Sequence, residues 1–237
     1  MKKLFYIAAV ALLTFGMASC ERPDDPEPEP DPINHDVPDG YVDLGLPSGL
    51  LWANCNIGAT TPEGYGDFYA WGMVDTSSDY GWEAYTYGDY NSGTGSYTMY
   101  KYNTTEMYGT VDNLTTLQPM DDVATQALGS GARMPTKAEW QELLDNTASV
   151  WTSVNGVNGR KFTGTNGNSI FLPAAGGRFG EGIDGVGQYG RYWSSSVLES
   201  DPYYAWGMGF ISSHQDVFDG SRDFGRSVRA VRPASRN

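Results

Sequence analysis

The sequence predicts an α+β domain in which two helices pack on short antiparallel strands joined by long ordered loops. Three observations point there. Thr136-Lys137-Ala138-Glu139 is a capping box, and Trp140, Leu143 and Leu144 behind it fall on one helical face. Tyr204-Ala205-Trp206-Gly207-Met208-Gly209-Phe210 alternates large and small residues at the two-residue period of a strand. Gly, at 30 of 237 residues, and Tyr, at 16, require many turns and a loop-rich surface rather than a helical bundle.

In chain order, residues 1–19 read as a signal peptide. Lys2 and Lys3 make the basic region, and Leu4 to Phe15 form an apolar run too short to span a bilayer. Met17-Ala18-Ser19-Cys20 follows, and it resembles a bacterial lipobox in which Cys20 takes the lipid and becomes the mature N-terminus; the alternative is an ordinary signal peptide with an incidental cysteine. Residues 20–39 are a tether, since Glu21 to Pro32 is almost wholly acid and proline, removing backbone donors while like charges repel. An acid-rich run directly after the cysteine resembles the signal that carries lipoproteins of Bacteroidetes-type bacteria to the outer face of the outer membrane. A spacer facing the periplasm is the other reading. Either way the membrane is met through the lipid alone.

Residues 40–237 are expected to form one domain. Tyr41 to Leu46 and Leu50 to Ala53 flank the turn Pro47-Ser48-Gly49 and predict a hairpin. Tyr65 to Trp71 is an aromatic strand candidate, and Tyr80 to Tyr108 reads as a long ordered insertion. Asp121 to Leu128 predicts a short helix stopped at Gly129, and the capped helix follows it. In that helix Glu139 reads as a cap rather than a catalytic acid. Ser169 to Ala174, Tyr192 to Ser196, Tyr203 to Phe210 and Ser227 to Val231 are the remaining strand candidates, and Trp193 is expected in the core. Cys55, the one thiol besides Cys20, lies in an apolar run and reads as a small hydrophobe.

Charge narrows the partners. With 29 acidic against 15 basic residues the net charge is -14, the wrong sign for a phosphate backbone, so no nucleic acid is expected. Hydrophobic residues at 40% and aromatics at 14% supply a core, so the chain as a whole is not disordered.

Several spaced motifs carry a resemblance. Tyr41-Val42-Asp43-Leu44-Gly45-Leu46-Pro47-Ser48-Gly49-Leu50-Leu51-Trp52-Ala53, Arg133-Met134-Pro135-Thr136-Lys137-Ala138-Glu139-Trp140, Tyr192-Trp193-Ser194-Ser195-Ser196 and Ser227-Val228-Arg229-Ala230-Val231-Arg232 occur in this order. Together they resemble the Fibrobacter succinogenes major paralogous domain group of Bacteroidetes lipoproteins. That resemblance implies a C-type lectin-like fold, shared with formylglycine-generating enzymes, and leaves function open because fold is not function. The C-terminal arrangement is also similar to receptor proteins diversified by retroelements, in which a rigid scaffold displays variable side chains.

Carried onto this chain, the display surface comes from residues 188–192, 198–206 and 214–224. Its aromatic and arginine anchors are Tyr189, Arg191, Tyr203, Tyr204, Trp206, Phe218, Arg222 and Phe224, residue types that supply contact area at low entropy cost. Its polar members are His214, Gln215, Asp216, Asp219 and Asp223. The expected partner is an external protein or glycan, bound without chemistry or cofactor. A structural subunit of a surface assembly or fimbrial tip is the alternative.

Enzyme readings are weaker. Formylglycine chemistry needs a late pair of cysteines, and none follows Cys55. Iron-dependent sulfoxide synthases need a histidine cluster, and His35 and His214 are the only two histidines. Ser194, Ser195 and Ser196 lack a nucleophile elbow, and no pair of carboxylates is singled out for glycosidase work. The Glu-Pro-Asn, Gln-Pro-Asp and Trp-Asn-Asp motifs of sugar-binding C-type lectins are absent from the domain. Asp216, Asp219 and Asp223 offer oxygens for a structural calcium but do not by themselves make a metal site.

Overall fold

A computed structural model describes residues 37–129 and 131–234. The expected lipid-bearing Cys20, the expected signal peptide, His35 and most of the expected tether lie outside the described residues. Strand β1 (Tyr41–Asp43) pairs antiparallel with β2 (Leu50–Asn56), as the Pro47-Ser48-Gly49 turn predicts. The tyrosine- and glycine-rich stretch expected as a loop contains a hairpin, β3 (Gly88–Asn91) with β4 (Ser96–Met99). Helix α1 (Val123–Leu128) is capped by Asp122, whose carboxylate accepts from Thr125 N, and it stops where Gly129 turns to a φ of 82°.

Helix α2 (Lys137–Asn146) carries the expected capping box. Glu139 N donates to Thr136 Oγ1 at 3.3 Å, and Thr136 N donates to Glu139 Oε2 at 2.8 Å. Arg133 grips the same carboxylate through both Nη atoms at 2.7 and 2.6 Å. Burial pushes the Glu139 carboxyl up, but the bonds from Arg133 and Thr136 outweigh it and hold the group below the usual range. All of its visible partners are structural.

Five short β elements follow: β5 (Thr147–Val154), β6 (Val157–Gly164), β7 (Ser169–Pro173), β8 (Gly177–Phe179) and β9 (Gly182–Asp184). The β5–β6 hairpin turns at Asn155-Gly156, with φ of 48° and 83°, the two positive values a two-residue type I′ turn requires. The last elements are β10 (Gly190–Val197), β11 (Tyr204–Phe210), β12 (Gln215–Ser221) and β13 (Arg229–Pro233). They assemble into separate small sheets: β1-β2-β13, β10-β11-β12, β5-β6-β7 and the two hairpins β3-β4 and β8-β9.

The expected α+β, C-type lectin-like arrangement is overturned. Strand takes 41% of the described residues and helix 11%, so the molecule is mainly β rather than helices packed on a strand layer. The cause is local. Residues 147–164, which carry an Asn-Gly turn signal, and residues 215–221, expected as an exposed display loop, are both strands. The two helices have only six and ten residues. Tyr65 to Trp71 is not a strand either, since only Tyr69 pairs, through a bridge to Arg226.

Two buried clusters hold the sheets together. One gathers Trp71, Tyr102, Trp193, Ala205 and Val228. The other gathers Trp52, Trp140, Leu143, Phe162, Tyr192, Met208 and Phe210, so α2 seats its Trp140 and Leu143 against the β10-β11-β12 sheet. Trp193 is fully buried, as the sequence predicts, and its Nε1 donates to Tyr69 O at 2.8 Å.

Candidate functional site

Directly opposed residues in an antiparallel sheet point to the same side, so the register of β10, β11 and β12 sorts the predicted display residues. Tyr192, Met208 and Val217 oppose one another and face the core beneath α2. Arg191, Gly209 and Asp216 oppose one another on the other side, as do Trp193, Gly207 and Phe218. The small residues of β11 therefore leave a trough along the sheet's second face. A Cβ at Gly209 would collide with the Phe218 ring, and a Cβ at Gly220 would collide with the Arg226 guanidinium. Side chains from neighbouring segments fill the space that these glycines vacate.

At one end of this trough is a cavity of about 350 Å³, lined by Tyr189, Arg191, Ile211, His214, Asp216 and Phe218 among others. That volume lies at the lower end of small-ligand sites. The Arg191 guanidinium lies 4.8 Å from the Tyr189 ring centre and 5.7 Å from that of Phe218. Tyr189 donates its hydroxyl to Asp184 Oδ2 at 3.1 Å, which props the ring at the mouth. His214 Nε2 lies 3.9 Å from Asp216 Oδ2, with the histidine side chain 70% exposed. Tyr189, Arg191, His214, Asp216 and Phe218 thus meet at one opening.

The remaining predicted residues do not join them. Tyr203 and Tyr204 stand in a separate tyrosine array. There Tyr203 stacks on Tyr97 at 4.3 Å with the planes 2° apart, and Tyr204 tilts against Tyr203 at 4.2 Å. Trp206 is on the helix side, its ring 3.2 Å beneath Lys137 Nζ, and Asp219 opposes it on that side. Gln215 also turns that way, its Oε1 accepting from Ser149 Oγ at 2.5 Å. Phe224 is half-buried with its ring edge-on to Phe179 at 4.3 Å.

Arg222 and Asp223 correct the expectation of exposure outright. Arg222 is 0% exposed and Asp223 is buried. The Arg222 guanidinium lies 4.7 Å from the Trp71 ring centre, with Nε donating to Tyr85 Oη and Nη1 to Pro202 O. Asp223 accepts from Ser221 Oγ, and burial pushes its carboxyl up. The polar, glycine-containing run that suggests a solvated loop is instead a strand followed by a return through the core. Asp216 and Asp219 point to opposite faces of β12, so the three aspartates do not converge on a calcium. Among the described residues no group of three or more His, Cys, Asp or Glu could hold a metal.

Sequence reasoning missed Arg226. It enters from the loop before β13 and is 2% exposed, its guanidinium 3.9 Å from the Trp193 ring centre and 4.6 Å from that of Phe218. The run Arg222, Arg226, Arg229 was the available signal, since three arginines so close together near the end of an acidic chain need somewhere to go. No family model, characterised protein or solved structure matches the chain. Its chemistry is therefore read from the site itself.

Among the described residues the geometry singles out no nucleophile. Ser194 and Ser195 are buried, their hydroxyls donating to Trp206 O at 2.8 Å and Pro135 O at 3.4 Å. Cys55 is half-buried rather than fully so, and burial pushes its thiol up, away from the reactive thiolate. Asp121 sits among Tyr87, Tyr102 and Lys101, all bonded to it. Burial raises its pKa, yet those bonds leave it below the usual range, as suits a structural anchor.

Proposed function

We propose that the chain is a ligand-binding display protein, held at the outer surface of the cell by a lipid on Cys20, that recognises an external protein or glycan without chemistry. One observation carries this reading. Three consecutive strands bring Tyr189, Arg191, His214, Asp216 and Phe218 from separate segments to the rim of one cavity. Aromatic and arginine side chains that a fold holds rigidly at a concave mouth are what recognition uses. Tyr204 and Phe224 are not part of the mouth, so binding does not depend on them directly.

The test compares wild type with Arg191→Ala/Phe218→Ala on a glycan array and a panel of purified extracellular proteins. Specific binding by wild type that the double variant loses at least tenfold is expected. Val150→Lys serves as the control for an assembly role. Val150 is 56% exposed on β5, an uncharged strand at the edge of its sheet, where a lysine blocks strand addition. Binding that Val150→Lys abolishes and the double variant spares would replace the display reading with the assembly one. The anchor has its own test, since Cys20→Ser should move the protein from the membrane to the soluble fraction. A variant that still sediments with membranes rules out the lipid. Among the described residues no helix is long and apolar enough to cross a membrane.

A further inference from the structure

Three arginines from one short C-terminal stretch are buried, and their surroundings differ in kind. Arg229 spends its donors on acceptors: Nε and Nη2 bond Asn56 Oδ1 at 3.0 and 2.7 Å, Nη1 bonds Ala53 O at 2.9 Å, and Nη2 also reaches Phe171 O at 3.0 Å. Arg222 does the same with Tyr85 Oη at 2.8 Å, Pro202 O at 2.7 Å and Lys101 O at 3.1 Å. Arg226 has none of this. Its Nε and Nη1 are buried without a hydrogen-bond partner, and it forms no ion pair among the described residues. A buried cation without acceptors is unfavourable, so the position is expensive to the fold.

A second unpaired guanidinium stands close by. Arg191 lines the 350 Å³ cavity, and it too forms no ion pair among the described residues. The Phe218 ring lies close to both, its centre 5.7 Å from the Arg191 guanidinium carbon and 4.6 Å from that of Arg226. Burial, and then the Arg191 charge, lower Arg226 to about 9, with Asp219 and Asp223 offsetting part of that. Two like charges beside one ring, in an interior that screens poorly, favour an anion at the cavity, with Asp216, Asp219 and Asp223 offsetting part of that field.

We infer that this cavity takes the carboxylate of a ring-sized ligand, bound by Arg191 against Phe218 and stabilised by the field of the nearby buried Arg226. The inference rests on the display reading and names the chemistry of its ligand. A planar guanidinium matches the two oxygens of a carboxylate, and the apolar wall of Phe218 and Ile211 suits the ring that carries it. A single negative charge fits better than a dianionic phosphate, because Asp216 lines the same cavity and Asp184 sits behind Tyr189. An acidic sugar and the free carboxylate of a peptide share this chemistry, and the probes below separate them.

The experiment titrates the full chain with glucuronate against glucose, and with N-acetylphenylalanine against its amide. One acid is expected to bind at least tenfold tighter than its neutral partner, which identifies the sugar or the peptide as the source. Arg191→Gln should erase that preference. Arg226→Met should weaken the acid about tenfold while raising the melting temperature by about 2–4 °C, because a well-packed apolar side chain replaces an unsatisfied cation. Opposite signs for affinity and stability are what a merely structural arginine would not produce. If both acids bind no better than their neutral partners, if neither acid saturates at millimolar concentration, or if Arg226→Met leaves acid affinity unchanged, the inference is overturned. Neutral ligands that bind and are lost in Arg191→Ala/Phe218→Ala would leave the display reading standing without it.

Discussion

Arg229→Met is expected to destabilise the fold by about 3 kcal/mol. The estimate weighs two opposed effects. Removing the guanidinium orphans Asn56 Oδ1, Ala53 O and Phe171 O, each a buried acceptor whose loss of a partner costs about 1–3 kcal/mol. Against that, burial alone lowers Arg229 from 12.5 to about 10, and relieving a strain of that size returns about 3 kcal/mol. The orphaned acceptors win because they tie three places together: β2, the strand β13 that begins at Arg229, and Phe171 in β7. Guanidinium denaturation of the variant measures the balance, and an unchanged midpoint would show that the network does not hold these sheets. The sign is opposite to that expected for Arg226→Met, three residues away, for the single reason that Arg226 has no acceptors to abandon.

Trp193→Ala should cost about 3–5 kcal/mol, the range for deleting a large buried aromatic. Trp193 is 0% exposed, its Nε1–H satisfies Tyr69 O, and its ring forms one wall against the Arg226 guanidinium. Trp206 is the internal comparison. It lies on the opposite face of the same sheet, half-buried, with Lys137 above its ring. Trp206→Ala loses a partly exposed ring and a cation–π contact, about 1 kcal/mol or somewhat more. Thermal and chemical unfolding of both variants should separate them clearly. Equal losses would mean that the face assignment of β10-β11-β12 is wrong.

Much of the local structure was legible. The cap at Thr136 and Glu139 could be read directly, because a capping box involves only residues three apart. The alternation in β11 was legible for the same reason, and its large residues do share the face toward α2 while Ala205, Gly207 and Gly209 share the other, toward the Trp193 cluster. The Asn155-Gly156 turn is equally local, and it closes the hairpin that tips the molecule to mainly β. Gln215 to Ser221 was harder. Asp216, Asp219 and Gly220 look like loop residues, and only pairing with β11 makes a strand of them.

The site was half legible. Tyr189, Arg191, His214, Asp216 and Phe218 were named for their chemistry, and the cavity brings them together. Tyr203, Tyr204 and Trp206 were named for the same chemistry and lie elsewhere, since side-chain type does not say which face of a strand a residue occupies relative to its neighbours. The glycines of β11 mattered more than its aromatics, because the space they leave is where Phe218 and Arg226 lie.

By itself the sequence determined the helix cap, the two-sided character of β11, the burial of Trp193 and the net charge of -14. Each of these depends on residue type and on neighbours a few positions distant. Tertiary structure alone decided that Arg222 is bonded and buried, that Arg229 ties sheets together, and that Arg226 stands unpartnered between Trp193 and Phe218. The surroundings of each arginine come from residues far apart along the chain, and an arginine's role is set by which acceptors the fold brings within about 3 Å of its donors.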